Sequence, residues 1–194
     1  MIILAIYLTS DWHFNHNREF IYKSRGFETI DEMNAAIIER HNALVRPGDD
    51  VYVLGDCTLG GGSKDILDIN KSFIESLNGN LHIIRGNHDT DCRVEMYESC
   101  KNVMAPVLYA DMIQYKKYHF YLSHFPTMTG NLEKESLKQC TCNLCGHTHQ
   151  KTNFYMGLPY VYHVGMDSHN CQPILLDNII EEMKNEVKKC LEVI

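Results

Sequence analysis

The chain has 194 residues, of which 44% are hydrophobic and 22% are charged, a composition typical of a soluble globular protein. Its formal net charge of −7 argues against a general nucleic-acid-binding protein, because such proteins present a basic face to the phosphate backbone. The length favours one compact domain over residues 1–194, and no linker, internal repeat or low-complexity tract suggests a boundary within it.

The amino terminus is apolar but too short to cross a membrane. Residues 2–8 are rich in isoleucine and leucine, lack a preceding basic segment and lead directly towards Asp11. This pattern predicts a buried first strand rather than a signal peptide. No later segment is apolar for long enough to span a bilayer, so we expect a cytoplasmic protein that does not bind a membrane.

The first half of the chain alternates between helix and strand patterns. A capping-box sequence at residues 29–32 precedes apolar residues at near-helical spacing, which predicts a helix that ends before the turn at residues 47–50. Residues 51–54 form a short strand pattern, Ser63 is a candidate cap for a second helix, and residues 81–84 form a further apolar strand. Two consecutive strand–helix–strand units favour an α/β fold with parallel neighbouring strands.

The second half is richer in strand patterns. The predicted elements are a short helix at 93–100, a hairpin of strands 112–115 and 118–122, a strand at 141–145 and a second hairpin of strands 153–156 and 160–164. Asp177 is a candidate cap for a final helix. The apolar residues on one face of that helix are Ile179, Ile180, Met183, Val187 and Leu191.

Metal-binding side chains follow several of the predicted strands. They share oxygen or nitrogen donor atoms: Asp11, His13, Asp56, Asn87, His124, His147 and His149. Side chains two residues apart on a strand point the same way, so Asp-x-His and His-x-His can each present two donors to one cleft. Carboxylate, imidazole and amide ligands together suit divalent ions such as manganese, iron or zinc. Seven donors are too many for one catalytic ion but fit two, if one carboxylate bridges them.

In this order the motifs resemble those of the calcineurin-like metallophosphoesterase superfamily. The motifs are Asp11-x-His13, Gly55-Asp56, Gly86-Asn87-His88-Asp89, His124 and Gly146-His147-x-His149. The resemblance implies an α/β fold, a four-layer α/β/β/α sandwich of two mixed β-sheets. It implies one ion bound by Asp11, His13 and His149, a second bound by Asn87, His124 and His147, and Asp56 as the bridge. The two divalent ions would be manganese first, with iron, zinc or nickel as alternatives.

The resemblance also implies hydrolysis of a phosphodiester or phosphomonoester by a metal-bridging hydroxide. His88 would be the general acid at the leaving oxygen, and Asp89 the carboxylate that orients its ring. One departure is Cys57, which follows Asp56 where many relatives have a second aspartate. Residues 11–17 and 163–167 further resemble a compact bacterial and phage branch of the family.

No cap domain or peptide groove is evident, so we expect a small phosphorylated substrate, such as a nucleotide, rather than a long nucleic acid. The sequence leaves the oligomeric state open.

Five further polar residues are candidates for substrate contact: His16, Asn17, Arg18, Arg25 and His163. The first four lie on the loop after the first ligand pair, where a phosphate clamp would be useful. The alternative for them is an ordinary solvated loop. His163 precedes the late Asp167, and support of a metal ligand from behind is the alternative role for both.

Other function classes fit parts of the sequence. Within the hydrolases, a phosphoprotein phosphatase is the alternative to a nucleotide-type substrate. The same fold can serve as a non-catalytic interaction scaffold, although the complete ligand set argues against it. Cys140, Cys142 and Cys145 could form a thiol metal site, but strand residues packed in a core explain these cysteines more simply.

Overall fold

The computed structural model describes residues 4–129 and 136–192, and the side chains of residues 191 and 192 are left undescribed. The start of the predicted first strand and the side chain of Leu191 therefore lie outside the described residues. The strands are β1 (Ile6–Thr9), β2 (Asp50–Val53), β3 (Asn80–Ile83), β4 (Ala110–Tyr115), β5 (Tyr118–Ser123), β6 (Thr141–Cys145), β7 (Val161–His163) and β8 (Ile174–Leu175). The helices are α1 (Glu19–Tyr22), α2 (Ile30–Leu44), α3 (Lys64–Glu75), α4 (Asp91–Glu98) and α5 (Leu176–Glu192).

The strands form two mixed sheets. The first has the order β3-β2-β1-β8, in which β1, β2 and β3 are parallel and β8 is antiparallel to β1. The second has the order β4-β5-β6-β7, with an antiparallel β4–β5 hairpin and parallel neighbours beyond it. The predicted α/β sandwich of two mixed sheets is confirmed, and so are the parallel strand–helix–strand units. Parallel strands place their carboxyl ends at the same edge of each sheet.

Two apolar clusters hold the layers together. On one face of the first sheet, Val51 and Val53 pack with Ile37 of α2 and Ile74 of α3. The opposite face contributes Leu8, Leu54 and Ile84 to a second cluster, which they share with Phe120, Leu122 and Leu144 of the second sheet and with Ile179, Ile180 and Met183 of α5. Because strand residues alternate between faces, β1 and β2 contribute to both clusters.

The capping box at the start of α2 is confirmed with one variation. The Thr29 hydroxyl accepts a hydrogen bond from the Glu32 backbone N–H at 3.2 Å. The Glu32 carboxylate in turn accepts from the N–H of Glu28, one residue before the cap, at 2.9 Å. The first interaction satisfies a backbone donor that the first helical turn leaves free, and the second fixes the residue before the cap.

The carboxyl-terminal part differs from the prediction in three places. Of the predicted strand 153–156, Phe154 alone forms a bridge, to Tyr162, and a 3₁₀ turn follows at Tyr155–Gly157. The two-residue strand β8 was not predicted, because so short an element has no recognisable periodicity. Asp177 lies inside α5 rather than at its cap, and its carboxylate accepts from the Tyr115 hydroxyl at 3.0 Å.

Over the described ranges, none of the helices combines the length and the apolar composition that crossing a lipid bilayer requires.

Candidate metal centre

Strand ends from both sheets meet at one place in the molecule. All seven predicted metal ligands lie here, within four residues of the ends of β1, β2, β3, β5 or β6: Asp11, His13, Asp56, Asn87, His124, His147 and His149. A backbone bridge between Ser10 and Gly165 joins the two sheets beside them. The His147 N–H also donates to the Asp11 carboxylate, at 3.0 Å to the nearer oxygen. The sheet-to-sheet junction therefore assembles the site from distant parts of the chain.

The donor atoms are spaced as ligands of common ions would be. Nε2 of His13 lies 3.8 Å from Asp56 Oδ2 and 4.0 Å from Asp11 Oδ1, and His149 Nε2 lies 4.0 Å from that same Asp11 oxygen. Nε2 of His124 lies 3.4 Å from Asp56 Oδ2. Two ligands that are each about 2.0–2.2 Å from one ion lie roughly 3–4 Å from each other. The Asp56 carboxylate thus faces histidines of both predicted ions.

A buried nitrogen without a partner supports a cation at this position. His13 is 1% exposed, and among the described residues its Nε2 has no hydrogen-bond partner. Its other nitrogen, Nδ1, pairs with Nδ1 of His16 at 3.0 Å. A buried polar atom without a partner costs free energy, and a cation between the two carboxylates would satisfy it.

The second half of the site concentrates electron pairs around His124. Its Nδ1 donates to the Leu54 carbonyl at 2.7 Å, so in the neutral ring Nε2 carries a lone pair. That nitrogen faces Asn87 Oδ1 at 2.9 Å and His147 Nδ1 at 3.2 Å as well as the Asp56 carboxylate. When Nδ1 of His147 carries no hydrogen, these lone pairs converge, and a positive charge between them removes their repulsion. These residues therefore fit a divalent cation.

The pKa shifts of Asp56 and His124 also indicate a site that favours positive charge. Burial opposes ionisation of Asp56, but the hydrogen bond and charge of His124 hold its pKa down to about 2. Burial likewise opposes protonation of His124, yet the hydrogen bond that it donates to Asp56 and the charge of Asp11 raise its pKa. Both shifts show that this part of the site favours positive charge beside the Asp56 carboxylate.

His149 is oriented by a buried ion pair behind it. Its Nδ1 donates to Asp167 Oδ2 at 2.8 Å, which leaves Nε2 directed at the site. Arg25 binds the same carboxylate through two hydrogen bonds, of 3.1 and 2.8 Å. A carboxylate behind a histidine is the usual support of a metal ligand.

The backbone of the site is strained in a way that indicates function. Five of the seven candidate ligands have left-handed φ angles: Asp11 at 59°, His13 at 52°, Asp56 at 56°, His147 at 69° and His149 at 49°. This region costs a residue other than glycine about 1–2 kcal/mol. Aspartate and histidine tolerate it better than most residues, but a cluster of five points to a functional constraint.

Two glycines permit the close approach of the strand ends. A Cβ atom on Gly86 would lie 2.2 Å from Asp56 Oδ1. On Gly146 it would lie 1.9 Å from Ser10 Oγ and 2.6 Å from Asp11 Oδ2. Any larger residue at either position would displace a candidate ligand.

His88 lies at the open side of the site. Its side chain is 46% exposed, and Nε2 lies 4.0 Å from Asp56 Oδ2. Its backbone N–H donates to Asp56 Oδ1 at 2.8 Å, and its carbonyl accepts from Arg93. The ring can therefore reach a molecule bound between the ligands.

The predicted role of Asp89 is wrong, because its carboxylate does not orient the His88 ring. Oδ2 accepts from the N–H groups of Asp56 and Gly86, both at 2.8 Å. Oδ1 accepts from the Cys57 N–H at 3.2 Å and from the Tyr97 hydroxyl at 2.8 Å. These donors occupy all four lone-pair positions of the carboxylate. Asp89 instead holds the two turns that carry Asp56 and Asn87.

Two predicted substrate contacts are also corrected. Arg25 is 1% exposed at its side chain and donates to the carbonyls of Trp12 and Asp11 as well as to Asp167, so its guanidinium is not available as a phosphate clamp. His163 is fully buried, and burial lowers its pKa to about 3, so it cannot touch a substrate in the cleft.

The other predicted substrate residues lie towards solvent. Asn17 and Arg18 are exposed, and His16 is half-buried against the His13 ring, with 5.1 Å between ring centroids. Their contact with substrate stays a prediction.

Cys140, Cys142 and Cys145, in and just before β6, do not form one cluster. Cys140 and Cys142 lie in the core between the sheets, whereas Cys145, an odd number of residues from both, points to the opposite face. Burial raises the pKa of Cys142 and of Cys145 to about 12, which disfavours the thiolates that bind metals.

Tyr97 and Arg93 support the site without having been predicted from the sequence. Both belong to α4 and bond to the turn at residues 86–89. Ordinary helical residues carry no local signal for such contacts.

Comparison with known proteins agrees with this geometry. Residues 4–166 match the model of the calcineurin-like phosphoesterase superfamily domain. The uncharacterized protein MJ1445 of Methanocaldococcus jannaschii is 32% identical over 190 residues, which cover 93% of this chain and 92% of that one. The protein of unknown function AQ665 of Aquifex aeolicus has the same fold, with a TM-score of 0.69 and 20% identity over 92% of this chain and 99% of that one. The bacterial and phage branch stays a prediction, but the chain belongs to the calcineurin-like phosphoesterase superfamily.

Proposed function

We propose that the chain is a metal-dependent phosphoesterase, which hydrolyses a phosphodiester or phosphomonoester of a small nucleotide-type substrate in the cytoplasm. The observation that carries the proposal is the buried Asp56 carboxylate between two groups of histidines. His13 Nε2, without a partner among the described residues, lies on one side of it, and His124 Nε2 lies on the other.

The two groups of donors would hold two divalent ions. Asp11, His13 and His149 would bind one, Asn87, His124 and His147 the other, and Asp56 both, with manganese favoured over iron, zinc or nickel. Bound there, the ions would neutralise the phosphate oxygens and lower the pKa of the attacking water. Two ions carry four positive charges and the aspartates return two, so this pocket would attract phosphate in a chain of net charge −7.

His88 would supply the proton for the leaving group. Hydrolysis forms a bond from water oxygen to phosphorus and breaks the ester P–O bond, so the leaving oxygen needs a proton. Held at its backbone by Asp56 and Arg93, His88 presents a half-exposed ring beside the Asp56 carboxylate. It can donate to the leaving oxygen without also serving as a ligand.

Two variants separate metal binding from proton transfer. His88→Ala should retain the manganese content of the wild type, and its turnover should fall by a factor of about 10²–10⁴. Asp56→Asn should lose both, because the carboxylate between the two groups of histidines is gone. Metal content is measured by mass spectrometry, and turnover with an alkyl phosphodiester such as a dinucleoside phosphate, whose alkoxide leaving group needs a proton. The exposed His119 provides the control, as His119→Ala should change neither. A His88→Ala protein with full turnover would refute the assignment.

The ester class is tested with bis-p-nitrophenyl phosphate against p-nitrophenyl phosphate on manganese-loaded protein. We expect faster hydrolysis of the diester. Preference for a phosphopeptide over both would indicate a phosphoprotein phosphatase instead. No hydrolysis of any of them by metal-loaded protein would favour the non-catalytic scaffold.

A further inference from the structure

Two phenylalanine rings are exposed to solvent at the edges of the metal centre. Phe20 is 69% exposed and Phe125 is 50% exposed. The Phe20 ring meets His16 edge-on, with 5.9 Å between ring centroids. The Phe125 ring lies 4.5 Å from that of His147 and 5.1 Å from that of His124. These rings are therefore available to a ligand that occupies the centre.

The two rings adjoin different groups of candidate ligands. Phe20 adjoins His16, which stacks on His13 in the group of Asp11, His13 and His149. Phe125 adjoins His124 and His147, in the other group. Asp56 faces one histidine of each group, so a phosphate beside it would contact both groups, and each group adjoins one phenyl ring.

We propose that the site takes a phosphodiester with a planar aromatic group, such as a nucleobase, on each side of the phosphorus, one packed on Phe20 and the other on Phe125. The inference rests on the proposed function, because it places the phosphate at the metal centre. A monoester has one organic arm and would leave one ring uncovered, whereas a diester has two arms.

The surrounding chemistry limits the diester to a short one. Stacking on a phenyl ring accepts any base, because every base has an aromatic face. A long strand would need a basic track for its further phosphates, and the net charge of −7 argues against one. Dinucleotide-sized diesters therefore fit better than polymers.

The test compares two diesters that share a leaving group: thymidine 5′-(p-nitrophenyl phosphate) and methyl p-nitrophenyl phosphate. They differ only in the retained arm, so the wild type should show a KM about tenfold lower for the thymidine ester at similar kcat. One of the two variants, Phe20→Leu or Phe125→Leu, removes the ring that stacks on the thymine, and this variant should have the same KM for both esters. The other variant removes the ring that stacks on the p-nitrophenyl group, which both esters carry, so it should raise both KM values by a similar factor.

Controls distinguish stacking from packing. Met128→Ala, at a neighbouring exposed position, should leave both KM values unchanged. If Phe125 only packs on His147, Phe125→Leu will instead lower the manganese content and the kcat for both esters, which overturns its assignment. Equal KM values for the two esters in the wild type would overturn the inference while leaving the proposed phosphoesterase intact.

A binding measurement separates the two proposals if neither ester is hydrolysed. Calorimetry on manganese-loaded protein compares thymidine 5′-phosphate with methyl phosphate. Tighter binding of the nucleotide that one of the leucine variants removes would support stacking, although the proposed activity would then be refuted. Equal binding of the two, or binding of neither, overturns the inference.

Discussion

At the scale of single residues, Asp89 shows that a residue of a catalytic motif can hold the backbone of the site in place without contacting the reacting groups. Asp89→Asn replaces one carboxylate oxygen by an amide nitrogen that faces buried donors. We expect a loss of about 1–3 kcal/mol in the free energy of unfolding, because a buried N–H then has no acceptor. Urea denaturation measures it. Asp91→Asn, two residues away and highly exposed, is the matched control and should change little. Equal stability of the two variants would contradict the assigned role of Asp89.

Asp167 is a second positioning residue, because it holds the candidate ligand His149. Asp167→Asn weakens the hydrogen bond to His149 Nδ1 and leaves Arg25 without its buried counter-charge. We expect manganese affinity to fall about 10–100-fold, as for other carboxylates behind metal-binding histidines. Calorimetric titration of the folded variant measures it. Asp177→Asn weakens a largely exposed ion pair with Lys116 and a hydrogen bond from Tyr115, neither of which involves a candidate ligand, and should bind manganese like the wild type. Unchanged affinity of Asp167→Asn would mean that His149 is held by other contacts.

At the scale of elements, the close approach of β1 to β6 decides whether the site forms. Gly146→Ala would place a methyl group 1.9 Å from Ser10 Oγ, so the two strand ends must separate. We expect this variant to lose manganese binding and to unfold at lower temperature, because the shift displaces Asp11 and His147. Gly48→Ala is the control, since its Cβ would meet only Leu4, at 3.6 Å. Wild-type metal binding by Gly146→Ala would show that the junction is not tightly fitted.

At the scale of the whole molecule, buried neutral histidines make folding sensitive to acid. His41 of α2 is fully buried and donates from Nε2 to the Asn78 carbonyl at 2.9 Å. Burial lowers its pKa to about 4, against about 6.5 in the unfolded chain. The unfolded state therefore takes up a proton first. The contribution of His41 to stability is complete above pH ~6.5 and is lost as the pH falls towards 4, by up to about 3 kcal/mol.

His41→Gln should flatten this part of the pH profile. Denaturation experiments between pH 7 and pH 4 measure how the free energy of unfolding changes with pH. This slope should be smaller than that of the wild type by up to about 1.4 kcal/mol per pH unit. His119→Gln, at an exposed position, should keep the wild-type slope. An unchanged slope in His41→Gln would show that other groups dominate the acid sensitivity.

The sequence by itself determined the residue types and their order. Strand patterns that end in Asp, His or Asn predicted the seven candidate ligands, because metal-ligand chemistry restricts the side chains that can serve and strand ends have a local signature. The parallel units and the β4–β5 hairpin were predictable for the same reason, since periodicity and turn residues act over a few positions.

Only the tertiary structure decided which polar side chains face the cleft and which are buried and bonded to other parts of the protein. Arg25 and His163 resemble substrate residues in the sequence but are buried, and Asp89 bonds to backbone groups of Asp56 and Cys57 that lie more than thirty positions earlier. The exposed rings of Phe20 and Phe125 gained significance only from the histidines beside them. A side chain's partners depend on contacts between distant segments, and local sequence patterns contain no information about those contacts.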